Sequence, residues 1–579
     1  MSTHPPLLPD EARYELKLSP TLGAGNFLYH AYAVNPGRDL PLIYSDKPLT
    51  TIDQQSLNAV SITQLKDAAE KYSAWYFSCG VAPMEPVAVY CNDGLQYLVQ
   101  YIALTALGAV PVLTNGAMEP GLAADFFRRV RVVGIMTDRD HRTALEQNFG
   151  CHKLKLFENL ENIPACDTNV LPTGLPFTHD YESPVMITHS SGTTGIPKPV
   201  TLLHGAWFHG IRQLLGLAKA QGSERYLSSL PASHNAAIAF SIHAILNGAA
   251  IMIMGNCSGD SVAAAIEQFR PASVVSFPQT FVELSAHNPS DCDFSSVTTW
   301  INSGDAAHEA HIRRLVAHGY HYRGEQKIEG SQFVDGLGSS ELGHSSFRIV
   351  HTPYTNTYDR CIGIPQSWVD ATVLQLNGEA SPIGTVGRLG VRSPSVTAGY
   401  WNDSQLTYSS RLRGYWLTGD LVYRDQLGCY YHVDRESDVI HTSSGPLYSL
   451  QTEELILKHY GEQLIDCTVV GTNKNHNGHG TQVGVAFVIP KVNCTVDTTR
   501  LLTEINARQV ALNRPSVEFV FSVTGADIPL GVTGKVLKRV LRERLVSELA
   551  DLEKSGGKPT GDKFLTSVVG DMEAKRVAV

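Results

Sequence analysis

Short runs of β-branched and apolar residues recur along the first two thirds of this chain, each followed by a longer stretch with helical spacing. Val87-Ala88-Val89 precedes a helical pattern from about Tyr97 to Leu107, and Val110-Pro111-Val112-Leu113 follows it. Val132 to Met136, Val185 to Ile187 and Ser273 to Phe277 are further runs that predict buried strands, while Thr201 to Ala220 and Ser261 to Phe269 predict helices. Alternation of this kind predicts α/β layers around largely parallel sheet. From Ala371 to Val396 the pattern shortens to strands separated by glycine turns, predicting a small β-rich subdomain. A polar stretch, Asp434 to Asp438, precedes a second series in which strands at Thr468–Val470 and Val483–Ile489 alternate with helices. That series closes on Val540, Leu541, Leu545, Val546, Leu549 and Leu552, spaced as one apolar stripe of a helix. The expected organisation is a large domain over residues 1–433, made of layered α/β subdomains plus the β-rich one. A small mobile α+β domain over 434–549 and a polar tail over 550–579 complete it.

A length of 579 residues fits more than one core. The most apolar run, Ala236 to Met254, is broken by His243, Asn247 and Gly248, so a buried helix and strand is expected there and no membrane span. A net charge of −10 argues against nucleic acid as a partner. The ten cysteines stand singly with no Cys-x-x-Cys pair, which disfavours zinc and fits a reducing, cytoplasmic setting. The first twenty residues lack a signal peptide's apolar region, and the final Val-Ala-Val is not a peroxisomal address.

Against this background one stretch carries chemistry: His189-Ser-Ser-Gly-Thr-Thr-Gly-Ile-Pro-Lys198. Its glycines let backbone approach an anion, its N–H groups and hydroxyls can wrap a phosphate, and Lys198 adds a point charge. The spacing is not that of a P-loop, because the lysine falls three residues after Gly195 and behind Pro197. Four other stretches accompany it in order: Asp335-Gly-Leu-Gly-Ser-Ser-Glu341, Gly414-Tyr-Trp-Leu-Thr-Gly-Asp420, Asp434-Arg-Glu-Ser-Asp-Val-Ile440 and Ile528 to Leu545. Taken one at a time, a surface turn would explain each equally well.

Together, in this order and spacing across residues 60 to 545, they resemble the adenylate-forming superfamily. That group includes acyl-CoA synthetases, luciferases and the adenylation domains of peptide synthetases. The resemblance implies an acid–thiol ligase that uses ATP and Mg²⁺ to make an acyl-adenylate, then passes the acyl group to a thiol. It assigns nucleotide contacts to Ser190, Ser191, Gly192, Thr193, Thr194, Gly195, Lys198, Ser303, Gly304, Asp305, Gly338, Ser340, Asp420 and Arg435. Glu341 becomes the Mg²⁺ ligand, with Thr194 beside it, and Asp420 the acceptor for the ribose hydroxyls. Ser437 occupies the hinge, and Lys535 reaches the carboxylate and α-phosphate, where a cation stabilises the charge gathered in the transition state. His234 and Asn235, in Ser228 to Phe240, match the acyl pocket. The His-Asn pair resembles the aryl-acid branch, and no Asp follows to hold an α-ammonium, which disfavours an amino acid. The Pro-Lys-Pro-Val ending of the phosphate loop is similar to that of fungal aryl- or alkyl-acid adenylating enzymes.

The chain also departs from that pattern. Leu337 replaces the aromatic expected against adenine, Ser437 replaces the usual hinge Asp or Lys, and the segment after His441 differs in spacing. With no carrier domain and no reductase fingerprint after Leu545, coenzyme A is the expected acceptor and a phosphopantetheinyl carrier protein the alternative. A catalytically weak nucleotide-binding paralogue is the reading from another class.

Overall fold

The computed structural model describes residues 7–554 except 93, 150–152, 164–166, 168–169, 191–195, 218–224, 288–291, 305–306, 357, 474–480 and 532–534. A seven-stranded sheet holds, in spatial order, Gly399–Tyr400, Lys198–Leu203, Pro184–Ser190, Val110–Asn115, Pro86–Cys91, Gly134–Thr137 and Leu156–Asn159. The last four of these pair in parallel, with the helices Gln96–Leu107 and Pro120–Val130 between successive strands. Every position of Pro86–Cys91 and Val110–Asn115 is buried. Helices cover both faces of such a sheet, which is why these strands read as unbroken apolar runs instead of alternating ones. Gly108 ends the first helix in the left-handed region at φ 82°, where an added Cβ would meet the Phe177 ring at 2.6 Å.

The larger sheet changes character along its width. One half is parallel through Pro41–Thr50, Ala250–Ile253, Arg225–Ser228, Ser273–Ser276, Thr299–Asn302 and Gln332–Asp335. It then continues antiparallel through Phe347–His351, Cys361–Pro365, Tyr430–Arg435, Tyr415–Arg424, Gly387–Arg392 and Asp370–Leu374. The short glycine-punctuated strands expected between Ala371 and Val396 are the far edge of this antiparallel half.

A separate three-stranded sheet, Leu464–Asn473, Gln482–Pro490 and Val517–Ser522, packs with the helices Ser449–Tyr460, Thr498–Ala511 and Lys538–Lys554. This is the expected α+β small unit. Leu541 and Leu545 are fully buried in its core, whereas Val546 of the predicted stripe is exposed. The fold class matches the sequence expectation. One element does not: residues 201–203, expected to begin a helix, finish the strand Lys198–Leu203, and the helix is His204–Leu215. Backbone pairing with Pro184–Ser190 outweighs the local helical spacing there. Among the described residues, no helix is long and apolar enough to cross a membrane.

Candidate active site

The strands on either side of the phosphate-loop stretch, Pro184–Ser190 and Lys198–Leu203, pair antiparallel. Ser190 and Lys198 lie opposite each other in the register of the two strands, so the loop's ends are pinned by sheet pairing. Arg129 fixes the exit, donating to the Pro197 carbonyl at 3.0 Å while pairing with Asp403 at 2.6 Å. Ser191, Gly192, Thr193, Thr194 and Gly195 lie outside the described residues.

Glu341 meets the hairpin from the far side. Ser190 Oγ donates to its carboxylate at 2.7 Å, and Tyr400 OH donates to the same oxygen at 3.1 Å. Lys198 places its ammonium 5.7 Å from the centre of the Tyr400 ring. Burial and then the Glu341 charge push the Tyr400 hydroxyl far above its ordinary value, so it stays a donor. Tyr400 lies in the short strand Gly399–Tyr400, to which the sequence reading assigns no role. The signal was an aromatic hydroxyl on a strand pairing with Val200, two residues beyond Lys198, and only strand pairing reveals it. Among the described residues no cluster of three or more His, Cys, Asp or Glu could hold a metal ion by itself. A single carboxylate such as Glu341 suits Mg²⁺ carried in by phosphates, since that ion keeps several waters.

At the other end, His234 caps the helix Asn235–Asn247, its Nδ1 accepting from the Ala236 N–H at 3.2 Å. That bond leaves the imidazole proton on Nε2. The ring stands edge-on to Phe277 with centroids 5.1 Å apart. Burial, then neighbouring His189, then Lys535 depress its pKa to about 3. His189, also depressed to about 4 by burial, accepts the Asn115 N–H at 3.3 Å. Both imidazoles are therefore neutral donors or acceptors. Through its charge the small unit's Lys535 acts on His234. Lys535 follows 532–534, outside the described residues, and its carbonyl accepts from the Gly531 N–H at 2.8 Å. Asn235 and Ser340, predicted for the acyl pocket and the phosphates, meet each other, Ser340 Oγ donating to Asn235 Oδ1 at 3.4 Å.

The Ser303–Gly304 turn completes this wall. Gly304 has φ 88°, and a Cβ there would fall 2.5 Å from Phe277 Cε1, the ring that packs on His234. A side chain at 304 would thus be both strained and obstructed. Asp305 lies outside the described residues. Gly338 sits against Ser345 Cα, 3.0 Å from where its Cβ would stand. Nearby, Asn302 Nδ2 and the Gly336 N–H donate to Asp335 Oδ1 at 2.9 and 2.8 Å. Burial still raises the Asp335 carboxyl above its ordinary value.

Asp420 and Arg435 face each other across two antiparallel strands, Arg435 Nη1 donating to Oδ1 at 2.8 Å. His432 Nε2 lies 3.3 Å from the same oxygen, a contact the sequence reading did not foresee. Burial alone would raise this carboxyl, but the Arg435 charge and His432 outweigh it and hold it far below the usual carboxylate range. Ser437 lies in the 3₁₀ turn Glu436–Asp438 immediately after this pair, its carbonyl accepting from Arg542 Nη1 at 3.1 Å.

Comparison with known proteins follows the same lines. A model of the family described as AMP-binding enzyme matches residues 44–401. The chain is 37% identical over 545 residues to the 3-aminoavenalumate diazotase of a Streptomyces species, covering 91% of this chain and 96% of that protein. It is 26% identical over 377 residues to the feruloyl-CoA synthase of an Amycolatopsis species, covering 65% and 71%. The fold superposes at TM-score 0.77, with 19% identity and 94% and 100% coverage, on the anthranilate CoA ligase AuaEII in complex with anthranoyl-AMP. With a family model matched over residues 44–401 and a relative 37% identical over nearly its whole length, this chain belongs to the AMP-binding enzyme family.

Proposed function

We propose that this enzyme activates a carboxylic acid with ATP, forming an acyl-adenylate and pyrophosphate, and then transfers the acyl group to a thiol, that of coenzyme A. An aryl or other non-amino acid suits the site best. The observation that carries the reading is the convergence of Ser190 Oγ and Tyr400 OH on the Glu341 carboxylate, beside the strands that flank the phosphate-loop stretch. The carboxylate would lie between His234 Nε2–H and the Lys535 ammonium and attack the α-phosphorus in line. Lys535 would offset the charge that accumulates on the phosphoryl oxygens in a site with little water. Ser190 and Lys198, with the loop between them, would cradle the β- and γ-phosphates, and Glu341 would hold the Mg²⁺ that ATP brings. Asp420 accepts from Arg435 on one oxygen, and its carboxylate would also accept from a ribose hydroxyl. Rotation of the small unit at Ser437 would then admit the thiol.

A second reading is favoured by one observation: the 37% identical relative, matched over nearly its whole length, is a diazotase, whereas the feruloyl-CoA synthase is matched at 26% over 71% of its length. The same adenylating chemistry can act on nitrite as the oxyacid. Nitrite and ATP would give nitrosyl-AMP and pyrophosphate. An aryl amine nitrogen would attack the nitroso nitrogen, AMP would leave, and loss of water from the protonated N-nitrosamine would give the diazonium ion. ATP–pyrophosphate exchange measured with benzoic, cinnamic, fatty and amino acids and with nitrite separates the two. Exchange with an organic acid, and thioester formation on adding coenzyme A, supports the first reading. Exchange with nitrite alone, and a dye formed with an aryl amine and a coupling phenol, would replace it. Silence with every acid in a folded, ATP-binding protein would overturn both.

A further inference from the structure

One cluster of buried charge lies away from the reacting groups and joins the two units. The helix Glu309–Val316 of the large unit begins after His308, whose side chain makes no capping bond of its own. The cap comes instead from the small unit. Glu454, on the helix Ser449–Tyr460, accepts the Glu309 N–H on Oε1 at 3.2 Å and holds His308 Nδ1 on Oε2 at 2.7 Å. Arg360 lies behind this pair, its side chain 3% exposed and its three guanidinium nitrogens without a hydrogen-bond partner. Among the described residues its ion-pair partner is Glu454, Oε2 lying at 3.9 Å, an attraction without hydrogen-bond geometry. Arg360 also acts electrostatically on Asp335, beside the Ser303–Gly304 turn. Further contacts cross the same seam: His311 Nε2 to the Ile465 carbonyl at 2.8 Å, Arg314 Nη2 to the Gly461 carbonyl at 2.6 Å, and Lys458 Nζ to Glu309 at 3.8 Å and Asp359 at 3.5 Å.

An anionic group at a helix N-terminus is stabilised by the unpaired N–H groups there. Glu454 therefore gains from the helix end, from His308 and from Arg360 while the small unit is docked as it is here. Undocking would leave the helix uncapped and strand a buried guanidinium, so these contacts select one arrangement over others. That arrangement is also the one in which Lys535 acts on His234.

We propose that Glu454, gripped by His308 and backed by Arg360, is the latch that keeps the small unit in the adenylating arrangement, and that its release precedes acyl transfer. The inference rests on the two-step reading above. Glu454, His308 and Arg360 are positioning residues, since none touches the reacting atoms. The latch is also pH-dependent. Burial lowers the His308 pKa, but the Glu454 contact overrides this and raises it, while Glu454 is held down to about 2. Glu453, Asp466, His311 and Arg360 are the other titratable or charged groups that act on His308. A raised histidine value means the charged pair is complete below about pH 6.5 and weakens as pH climbs through the folded value.

The test compares the full-length protein with Glu454→Gln, which keeps shape and loses charge, and with Arg360→Met. Amide hydrogen exchange of residues 309–316, corrected for intrinsic rates, needs no substrate. The latch predicts at least tenfold faster exchange there in both variants, and in the wild type a rise with pH above 6.5 that Glu454→Gln lacks. It also predicts that pyrophosphate exchange falls about tenfold while transfer from preformed acyl-adenylate is no slower. Unchanged exchange protection at 309–316, or both half-reactions falling together with the melting temperature, would overturn it. Should the wild type show no pyrophosphate exchange with any acid, the adenylation reading fails while hydrogen exchange still decides the latch.

Discussion

Two regions of the candidate site, one around Asp420 and one around His234, reach opposite charge states. In the first, Asp420 stays anionic because Arg435 and His432 stand against it. In the second, His234 stays neutral to about pH 3 because burial penalises its cation and its neighbours are His189 and Lys535. Asp335, near the neutral end, shows that residue type does not decide: it is as buried as Asp420, has only amide donors within bonding distance, and is raised. Burial sets the size of the penalty and the partner's charge sets its sign. An enzyme that binds a polyphosphate at one end and a carboxylate at the other gains from this division. On the proposed reading, permanent charge would recognise the nucleotide, while the acyl end would present dipoles and one lysine from the small unit.

The sharpest break of this contrast is Lys535→Ala. It removes the cation at the neutral end and should lower pyrophosphate exchange by about 10²- to 10³-fold, with an unchanged melting temperature. Lys538, three residues on, is the control. Its ammonium is buried against Glu453 and Ser449 at 2.7 Å each, so its loss should appear in stability first. Next comes Asp420→Asn, which leaves Arg435 and His432 without their anion. ATP affinity should fall by about 30-fold or more, since removing one member of a buried charge pair costs about 2 kcal/mol upward. The matching Asp335→Asn change should move ATP affinity less than about threefold, because burial already favours the uncharged carboxyl; a loss equal to that of Asp420→Asn would dissolve the comparison. Smaller still is Gly304→Ala. A Cβ against Phe277 at φ 88° should cost about 1–2 kcal/mol and show as roughly tenfold slower exchange through a displaced His234.

The mildest test is pH. His234, His189, His204 and His351 are held at about 3 or 4 by burial, so the unfolded chain binds protons below about pH 6.5 that the folded chain refuses. Stability should be full above that value and decline as pH falls from 6.5 toward 4, by up to about 1.4 kcal/mol per unit for each histidine. A melting temperature flat from pH 7 to 5 would contradict the neutral assignment.

Much of the architecture was legible in the chain. Helical spacing and unbroken apolar runs report burial on one face or on both, so the parallel strands, the helices between them and the α+β small unit could be read from period alone. The five stretches in family order likewise carried the class of chemistry, because glycine, hydroxyl and charge at fixed spacing are local requirements of a phosphate site. What only the tertiary structure decided depends on residues far apart in sequence. Strand pairing turned 201–203 from helix into strand and set Tyr400 on Glu341; antiparallel register placed His432 and Arg435 on Asp420. Docking of the small unit set Glu454 on a helix end 145 residues earlier. Local pattern carries local requirements; which charge meets which is settled by register and packing, and these exist only once the chain has folded.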